Sequence, residues 1–297
     1  MTPYRGRFAP TPSGPLHFGS IVAALGSYLQ ARRANGLWFL RIDDLDPLRV
    51  VPGAIDLILR TLETFCFEWD GQVIYQSRRS DAYHAALHRL RNRGRVYACS
   101  CSRKQIAETR REAAHTGIYS GLCRSGLGSA PARALRADTR GAHVEIEDGV
   151  LGGRRFDIER EFGDFLLYRA DRVYAFHLAS AVDEITMGIS EVVRGRDLLE
   201  SSARQHWLIE QLESPPPRYA HLPLALNEQG GKLSKQALAA PVDSRRPGAV
   251  LRCALSFLGQ PVPEHLEQLD DVWCWAMANW RIEHVPRVAG MRLSTLA

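Results

Sequence analysis

Lysine is almost missing from this chain. Of its 38 basic residues only three are lysines, at 104, 232 and 235, and the other 35 are arginines. We read the bias as one of composition, which makes the surviving lysines informative, because two of them share the short segment "GGKLSK". Long apolar runs are missing too, so no stretch reaches the length that crosses a bilayer. The N-terminus lacks the charged, then apolar, then small-residue pattern of a secretory signal, and the expected location is cytoplasmic. The six cysteines, at 66, 99, 101, 123, 253 and 274, are not spaced like a disulfide scaffold. Internal repeats and low-complexity segments are absent as well.

What remains is an ordinary globular composition in 297 residues, enough for one large domain or two smaller ones. Charge is uneven along it. Residues 76–140 carry fourteen basic side chains against Asp81, Glu108, Glu112 and Asp138, a local excess of ten where the whole chain has a formal +5. A polyanion partner and a solvated arginine-rich surface are both open readings of that excess.

Tyr4 to Ala9 reads as a short strand, and from Phe18 the apolar residues Ile21, Leu25, Tyr28 and Leu29 recur at helical spacing until "ANG". "LWFLRIDD" (37–44) follows as a buried strand ending in acids. Helices are expected near 53–67 and 80–93, with a strand candidate at 72–75 between them. Strand alternating with helix is the rhythm of a parallel α/β sheet, whose ligands bind at the carboxyl ends of the strands. Residues 98–172 break the rhythm and read as an inserted subdomain. "VYAFHLASAVDE" and "EVVRGRDLL" then read as strand-like runs, followed by a helix near 201–213, the strand-like "HLPLALN", and a small helical tail from about 248.

Two segments suggest phosphate chemistry. "RFAPTPSGPLHFGS" (7–20) stiffens a turn with proline, thins it with Gly14 and Gly19, and sets His17 at a helix N-terminus, where free N–H groups bind phosphate. A lone histidine in a proline-rich loop would mean little, but the P-x-P-x-G-x-x-H-x-G spacing is harder to meet by accident. "GGKLSKQ" puts Lys232 and Lys235 on a glycine-led loop, point charges on flexible stems. A third cluster suits a metal: Cys99 and Cys101 can grip one ion and Cys123 supplies a third thiolate, which fits structural zinc. By chemistry alone His115 is the default fourth ligand; the plain alternative is a set of free buried thiols.

The first two segments resemble the paired signatures of class I aminoacyl-tRNA synthetases, with His17-Phe-Gly-Ser20 in the place of "HIGH" and Lys232-Leu-Ser-Lys-Gln236 in the place of "KMSKS". "GRFAPTPSGPLHFGS", "RIDDLDPLR", "EVVRGRDLLESSARQ" and "HLPLALNEQGGKLSKQ" look like the glutamyl-tRNA synthetase catalytic core, over roughly residues 5–240. The short tail, with "CSC" and "YSGLC" in the insertion, is similar to the glutamyl-queuosine tRNA(Asp) synthetase family, which lacks the large helical anticodon-binding region.

The resemblance implies a Rossmann-like parallel sheet split into 1–97 and 173–240, a zinc-bearing insertion at 98–172 and a small helical region at 241–297. It implies that L-glutamate is activated by ATP with Mg²⁺ and attached to the queuosine base at the wobble position of the tRNA(Asp) anticodon, by a monomer with no membrane partner. Arg7 and Arg194 match the positions that hold the glutamate side-chain carboxylate, a job suited to bidentate arginine; Phe8, Ala9, Pro10, Thr11 and Phe176 match the pocket wall. Asp43 matches an acidic position, commonly glutamate in the family, that holds the α-amino group. His17, Gly19 and Lys235, with Lys232 beside them, would meet ATP. Tyr119 in "Y-x-x-x-C" takes the place of the fourth metal ligand, against His115. Where the family has "AYN", this chain has "AFH", so Phe176 lacks a hydroxyl and His177 replaces an amide. The arginine-rich 76–140 stretch is the candidate grip on the anticodon arm. Competing readings are a reduced synthetase charging a tRNA 3′ end, a ligase passing its adenylate to a small molecule, a non-catalytic RNA-binding module, and a zinc hydrolase, the last disfavoured because clustered cysteines resemble a closed structural site.

Overall fold

The computed structural model describes residues 3–102, 104–106, 118–119, 121–231 and 240–292. Its first half follows the expected alternation. Strand β1 (Arg5–Phe8) leads through the proline-rich turn to helix α1 (Phe18–Arg33), and β2 (Leu37–Ile42) returns parallel to β1. Helix α2 (Ala54–Thr64) buries Ala54, Ile58 and Leu62 at four-residue spacing, so one stripe faces the core. β3 (Ile74–Tyr75) then pairs parallel with the end of β2, and α3 (Ser80–Asn92) follows.

Residues 96–168 divide between two sheets. β4 (Val96–Cys99) and β5 (Ala134–Ala137) pair antiparallel, while β6 (His143–Asp148) and β7 (Gly152–Asp157) form a hairpin; β8 (Leu166–Tyr168) closes the small sheet in the order β4-β5-β8. The hairpin does not stay with that small sheet. Alternate residues of β6 are buried, and Val144 and Ile146 join a core that also holds Tyr83, Leu178, Trp207 and Tyr219. A stretch that reads as one insertion therefore contributes a strand to the main sheet.

The other difference from the sequence reading is α4 (Phe176–Thr186), a helix where "VYAFHLASAVDE" suggested a strand. Leu178 to Glu184 are all buried, so the helix is covered around most of its circumference and its sequence shows no clean stripe. A short apolar run of that kind fits a buried strand and a buried helix equally well. β9 (Glu191–Gly195), α5 (Leu199–Gln211) and β10 (Arg218–Leu222) then make the second parallel unit, with Leu222 opposite Gly195. Tyr219 opposite Asp148 joins β6 to β10. β11 (Leu224–Leu226) follows β10 directly; α6 (Pro247–Phe257) and α7 (Leu269–Asn279) form the expected helical tail, and β12 (Gly290–Arg292) pairs back on β11.

The two parallel units meet edge to edge. The Ser190 N–H donates to the Arg5 carbonyl at 2.9 Å, and the Arg5 N–H donates to Ser190 Oγ at 2.9 Å. β1 thus lies beside β9, where strand order reverses, and a crevice opens beyond the carboxyl ends of strands at such a point. α1 seals the junction from one face: a Cβ on Gly26 would sit 2.7 Å from Leu222 Cδ1, so a side chain there would have to displace the buried Leu222 methyl. The tail packs on α1 from outside, with Phe18 edge-on to Phe257 at 5.7 Å and Trp280 Nε1 donating to Gln30 Oε1 at 3.0 Å. Among the described residues, no helix is long and apolar enough to cross a membrane.

Candidate active site

Two adjoining cavities occupy the crevice. The larger, of about 600 Å³, is lined by the turn after β1, by the start of α1 with His17, Gly19 and Ser20, and by Leu222 to Ala225 at the end of β10. His17 is the N-cap of α1, and its backbone N–H donates to Ser20 Oγ at 3.4 Å. The glycine two residues on has a steric reason. A Cβ on Gly19 would come within 3.1 Å of the His17 ring, so glycine leaves the imidazole room to lie over the first helical turn. Free N–H groups of that turn and an adjacent imidazole make a setting for an anion.

The smaller cavity, of about 390 Å³, shares Phe8, Ala9, Thr11 and Gly195 with the first and is lined further by buried Arg7, Arg41, Asp43 and Arg194 and by exposed Phe176. Its floor is a buried charge network. Arg7 Nε donates to Glu184 Oε1 at 3.0 Å, and Arg41 lies 2.7 Å from Asp43, 3.4 Å from Glu184 and 3.7 Å from Asp183. Arg79 reaches Asp183 at 2.7 Å from the outside, and Gln76 donates to it at 2.8 Å. Burial works against the charge on Arg41, but the three carboxylates outweigh it and hold the guanidinium firmly protonated. Burial likewise pushes the Glu184 carboxyl up, yet Arg7 and Arg41 prevail and bring it below its ordinary range.

Arg194 differs from Arg7 and Arg41 in having no carboxylate partner within ion-pair distance among the described residues. Its Nη2 donates to Ser202 Oγ at 2.6 Å, Gln205 Oε1 at 2.8 Å and the Leu198 carbonyl at 3.3 Å, while its Nε is buried without a hydrogen bond. Burial, helped by the neighbouring charge of Arg7, brings its acidity to about 10. A buried cation held only by neutral groups is set to receive an anion.

The structure brings together most of the residues singled out in the sequence. Arg7, Phe8, Ala9, Thr11, Asp43, Phe176 and Arg194 line the smaller cavity, and Pro10, His17 and Gly19 line the larger. His177 lines neither cavity: its ring meets Phe165 edge-on at 5.6 Å, and burial of the ring, with Arg204 and Arg194 nearby, drops its acidity to about 3, so this half-buried residue is neutral. Lys232, Lys235 and His115 lie outside the described residues. Arg41, Asp183 and Glu184 were not singled out by sequence. Their signal was there in the adjacent acids of "AVDE" and in an arginine inside an otherwise apolar strand, both costly to bury unless they meet.

A second cluster lies at the end of β4. Cys99, Cys101 and Cys123 bring their sulfurs within 4.8 Å of one another, and the Tyr119 hydroxyl stands 3.5 Å from both Cys99 and Cys101 Sγ. Arg136 closes the back, donating from Nε to Cys99 Sγ at 3.3 Å with its guanidinium 3.8 Å over the Tyr119 ring. Burial raises the Cys101 thiol, while at Cys123 hydrogen bonds from Tyr119 and Ser100 outweigh burial and lower the thiol.

A crevice at a strand-order reversal, with a histidine-capped helix on one side and buried arginines on the other, defines an α/β ligand-activating site. The family model for tRNA synthetases class I (E and Q), catalytic domain, matches residues 4–249, and the chain belongs to this family of ATP-dependent ligases. Among curated relatives, the chain is similar to the glutamyl-Q tRNA(Asp) synthetase of Chromobacterium violaceum (49% identical over 284 residues, 95% of each chain). It is similar also to that of Dechloromonas aromatica (50% over 291 residues, 96% of this chain and 97% of the other). A crystal structure of a glutamate tRNA ligase from Elizabethkingia meningosepticum in complex with its amino acid shares the fold, with a TM-score of 0.80 at 24% identity, covering 98% of this chain and 67% of that one.

Proposed function

We propose that this chain activates L-glutamate with ATP and transfers the glutamyl group to the queuosine base at the wobble position of the tRNA(Asp) anticodon. The observation that supports the reading is the pair of adjoining cavities, one beside the helix end that His17 caps and one around the buried arginines Arg7, Arg41 and Arg194. In the smaller cavity Arg194, the cation without an internal counter-charge, receives the glutamate side-chain carboxylate, with Arg7 beside it. Asp43 faces the α-amino group, its reach fixed by Arg41. Phe8, Ala9, Thr11 and Phe176 form the wall, and Pro10 continues it into the larger cavity. The α-carboxylate then points toward the larger cavity, where it attacks the α-phosphorus of ATP, forming glutamyl-adenylate and releasing pyrophosphate; Mg²⁺ accompanies the nucleotide. His17 and Gly19 contact ATP, and His17, Lys232 and Lys235 stabilise the charge that develops on the phosphates, by position and electrostatics without a covalent enzyme intermediate. A queuosine hydroxyl attacks the activated carbonyl and displaces AMP. The arginine-rich 76–140 stretch grips the anticodon arm through its phosphates.

Cys99, Cys101, Tyr119 and Cys123 would hold a structural zinc. Tetrahedral zinc with about 2.3 Å bonds to sulfur and 2.0–2.2 Å to oxygen needs sulfurs about 3.8 Å apart and oxygen about 3.5 Å from each sulfur. The 3.5 Å between Cys101 and Cys123 Sγ and the 3.5 Å from Tyr119 to two sulfurs support that fit. When bound, the ion ties β4 to the segment around Cys123 and takes no part in the chemistry.

The test is ATP–pyrophosphate exchange without any RNA, run with glutamate, glutamine and aspartate. Exchange with glutamate alone is expected; exchange with none of the three sinks the assignment of the pocket.

A further inference from the structure

Behind Arg194 lies a hydrogen-bonded chain that no step above uses. Ser202 Oγ, which accepts from Arg194 Nη2, is 2.7 Å from His221 Nε2. On its other side His221 Nδ1 contacts Asp148 Oδ2, and Asp148 Oδ1 accepts the N–H groups of Val150 at 3.0 Å and Leu151 at 2.8 Å. All four side chains are buried, Ser202 and His221 completely. They come from four elements: Asp148 from β6, Arg194 from β9, Ser202 from α5 and His221 from β10.

The direction of the chain follows from charge. Asp148 accepts two or more N–H groups and is ionised: burial opposes this, but the bonds from His221 and the backbone outweigh it. His221 is held neutral mainly by burial, so its one ring proton sits on Nδ1, facing the carboxylate. Nε2 is then an acceptor at 2.7 Å, closer than the Leu198 carbonyl that the Ser202 hydroxyl also reaches at 3.2 Å, so the hydroxyl donates its hydrogen bond to Nε2 and the Ser202 lone pairs face Arg194. Each hydrogen points away from the cavity, and Ser202 offers Arg194 a pure acceptor.

We propose that Asp148, His221 and Ser202 form a positioning relay that locks the Arg194 guanidinium for recognition of the substrate carboxylate, so that the β6–β7 hairpin helps set amino-acid selectivity. The inference rests on the reading of Arg194 as the site of the glutamate side chain. It gives β6 a purpose beyond packing, because its last residue supplies the charge at the far end of the relay.

The experiment measures KM for glutamate and for ATP, the glutamate-over-glutamine ratio of kcat/KM in pyrophosphate exchange, and the melting temperature. The variants are Ser202→Ala, Asp148→Asn, their combination, Ser202→Thr and Arg194→Lys. Ser202→Ala is expected to raise KM for glutamate about tenfold, the loss of one hydrogen bond to a charged group, with KM for ATP within twofold of wild type. The glutamate-over-glutamine ratio falls with it. Asp148→Asn, which no longer fixes the histidine proton, moves the same two quantities in the same direction. The double variant is no worse than the more severe single one, because a relay broken once has no further effect to lose. Ser202→Thr, which keeps the hydroxyl, restores the ratio; where its extra methyl lowers the melting temperature, the double-variant coupling decides instead.

Additive losses in the double variant, or equal changes in both KM values, would make these residues ordinary core and overturn the relay. If Arg194→Lys raises KM for glutamate but Ser202→Ala does not, the relay falls and the pocket reading stands. If Arg194→Lys leaves that KM unchanged, the pocket reading falls and the relay with it.

Discussion

The arginine pocket and the cysteine cluster solve the problem of buried polar groups in opposite ways. In the pocket the fold supplies both signs of charge: Arg7 and Arg41 meet Glu184, Asp43 and Asp183 within the chain, and among the described residues Arg194 is the buried arginine of the pocket left without an anion. The cluster holds donors of one kind, three sulfurs and a phenol, with a single guanidinium behind them. The first arrangement is organised before any ligand arrives; the second gathers donors that a cation completes. Preorganisation belongs where selectivity and transition-state charge are decided, and an ion suffices where the task is to staple loops.

The sharpest way to break this comparison is to remove the pocket's own counter-charge. Glu184→Gln strands Arg7 in a buried setting, while Arg41 keeps Asp43 and Asp183, and is expected to cost about 3–5 kcal/mol of stability, read from urea unfolding, with no rescue by added zinc. A loss below about 1 kcal/mol would mean that the network is not organised by charge.

His17→Ala probes the same half of the molecule through chemistry. Exchange rates should fall by roughly 10²–10³-fold, the size of losing one preorganised electrostatic contact, while stability changes by no more than about 1 kcal/mol, the contribution of an N-cap. On the other side, Arg136→Leu removes the donor behind Cys99 and is predicted to weaken zinc binding about 10–100-fold in a competition titration. Glutamate-dependent exchange should stay within about threefold of wild type in that variant, since the cluster lies outside both cavities. Parallel loss of zinc and exchange would erase the separation between the two regions.

The smallest effect is a pH slope. His177 takes a proton in the unfolded chain near its ordinary pH of 6.5 but in the fold only near about 3, so stability is present above 6.5 and declines as pH falls below it. Between pH 7 and pH 5 this one residue should account for about 2 kcal/mol of lost stability, and His177→Gln should remove that part of the slope. An unchanged slope would place the ring in contact with water.

Much of this was legible in the sequence where information is local. The strand–turn–helix around His17, the α2 stripe and the clustering of Cys99, Cys101 and Cys123 all follow from spacing within a few residues. α4 was not legible, because a helix buried on most of its surface carries no stripe. Nor was the network of Arg41, Asp183 and Glu184, whose partners lie about 140 residues apart, or the place of β6 in the main sheet, which hangs on the pairing of Tyr219 with Asp148. Sequence marked Arg7 and Arg194 as equivalent; the fold separates them by giving Glu184 to one and neutral partners to the other.

The most direct measurement is transfer of labelled glutamate to three RNAs: tRNA(Asp) containing queuosine, the same tRNA lacking it, and tRNA(Glu). The account predicts label on the first alone. Label on tRNA(Glu), or on tRNA(Asp) without queuosine, would contradict it and make this a synthetase that charges a tRNA end.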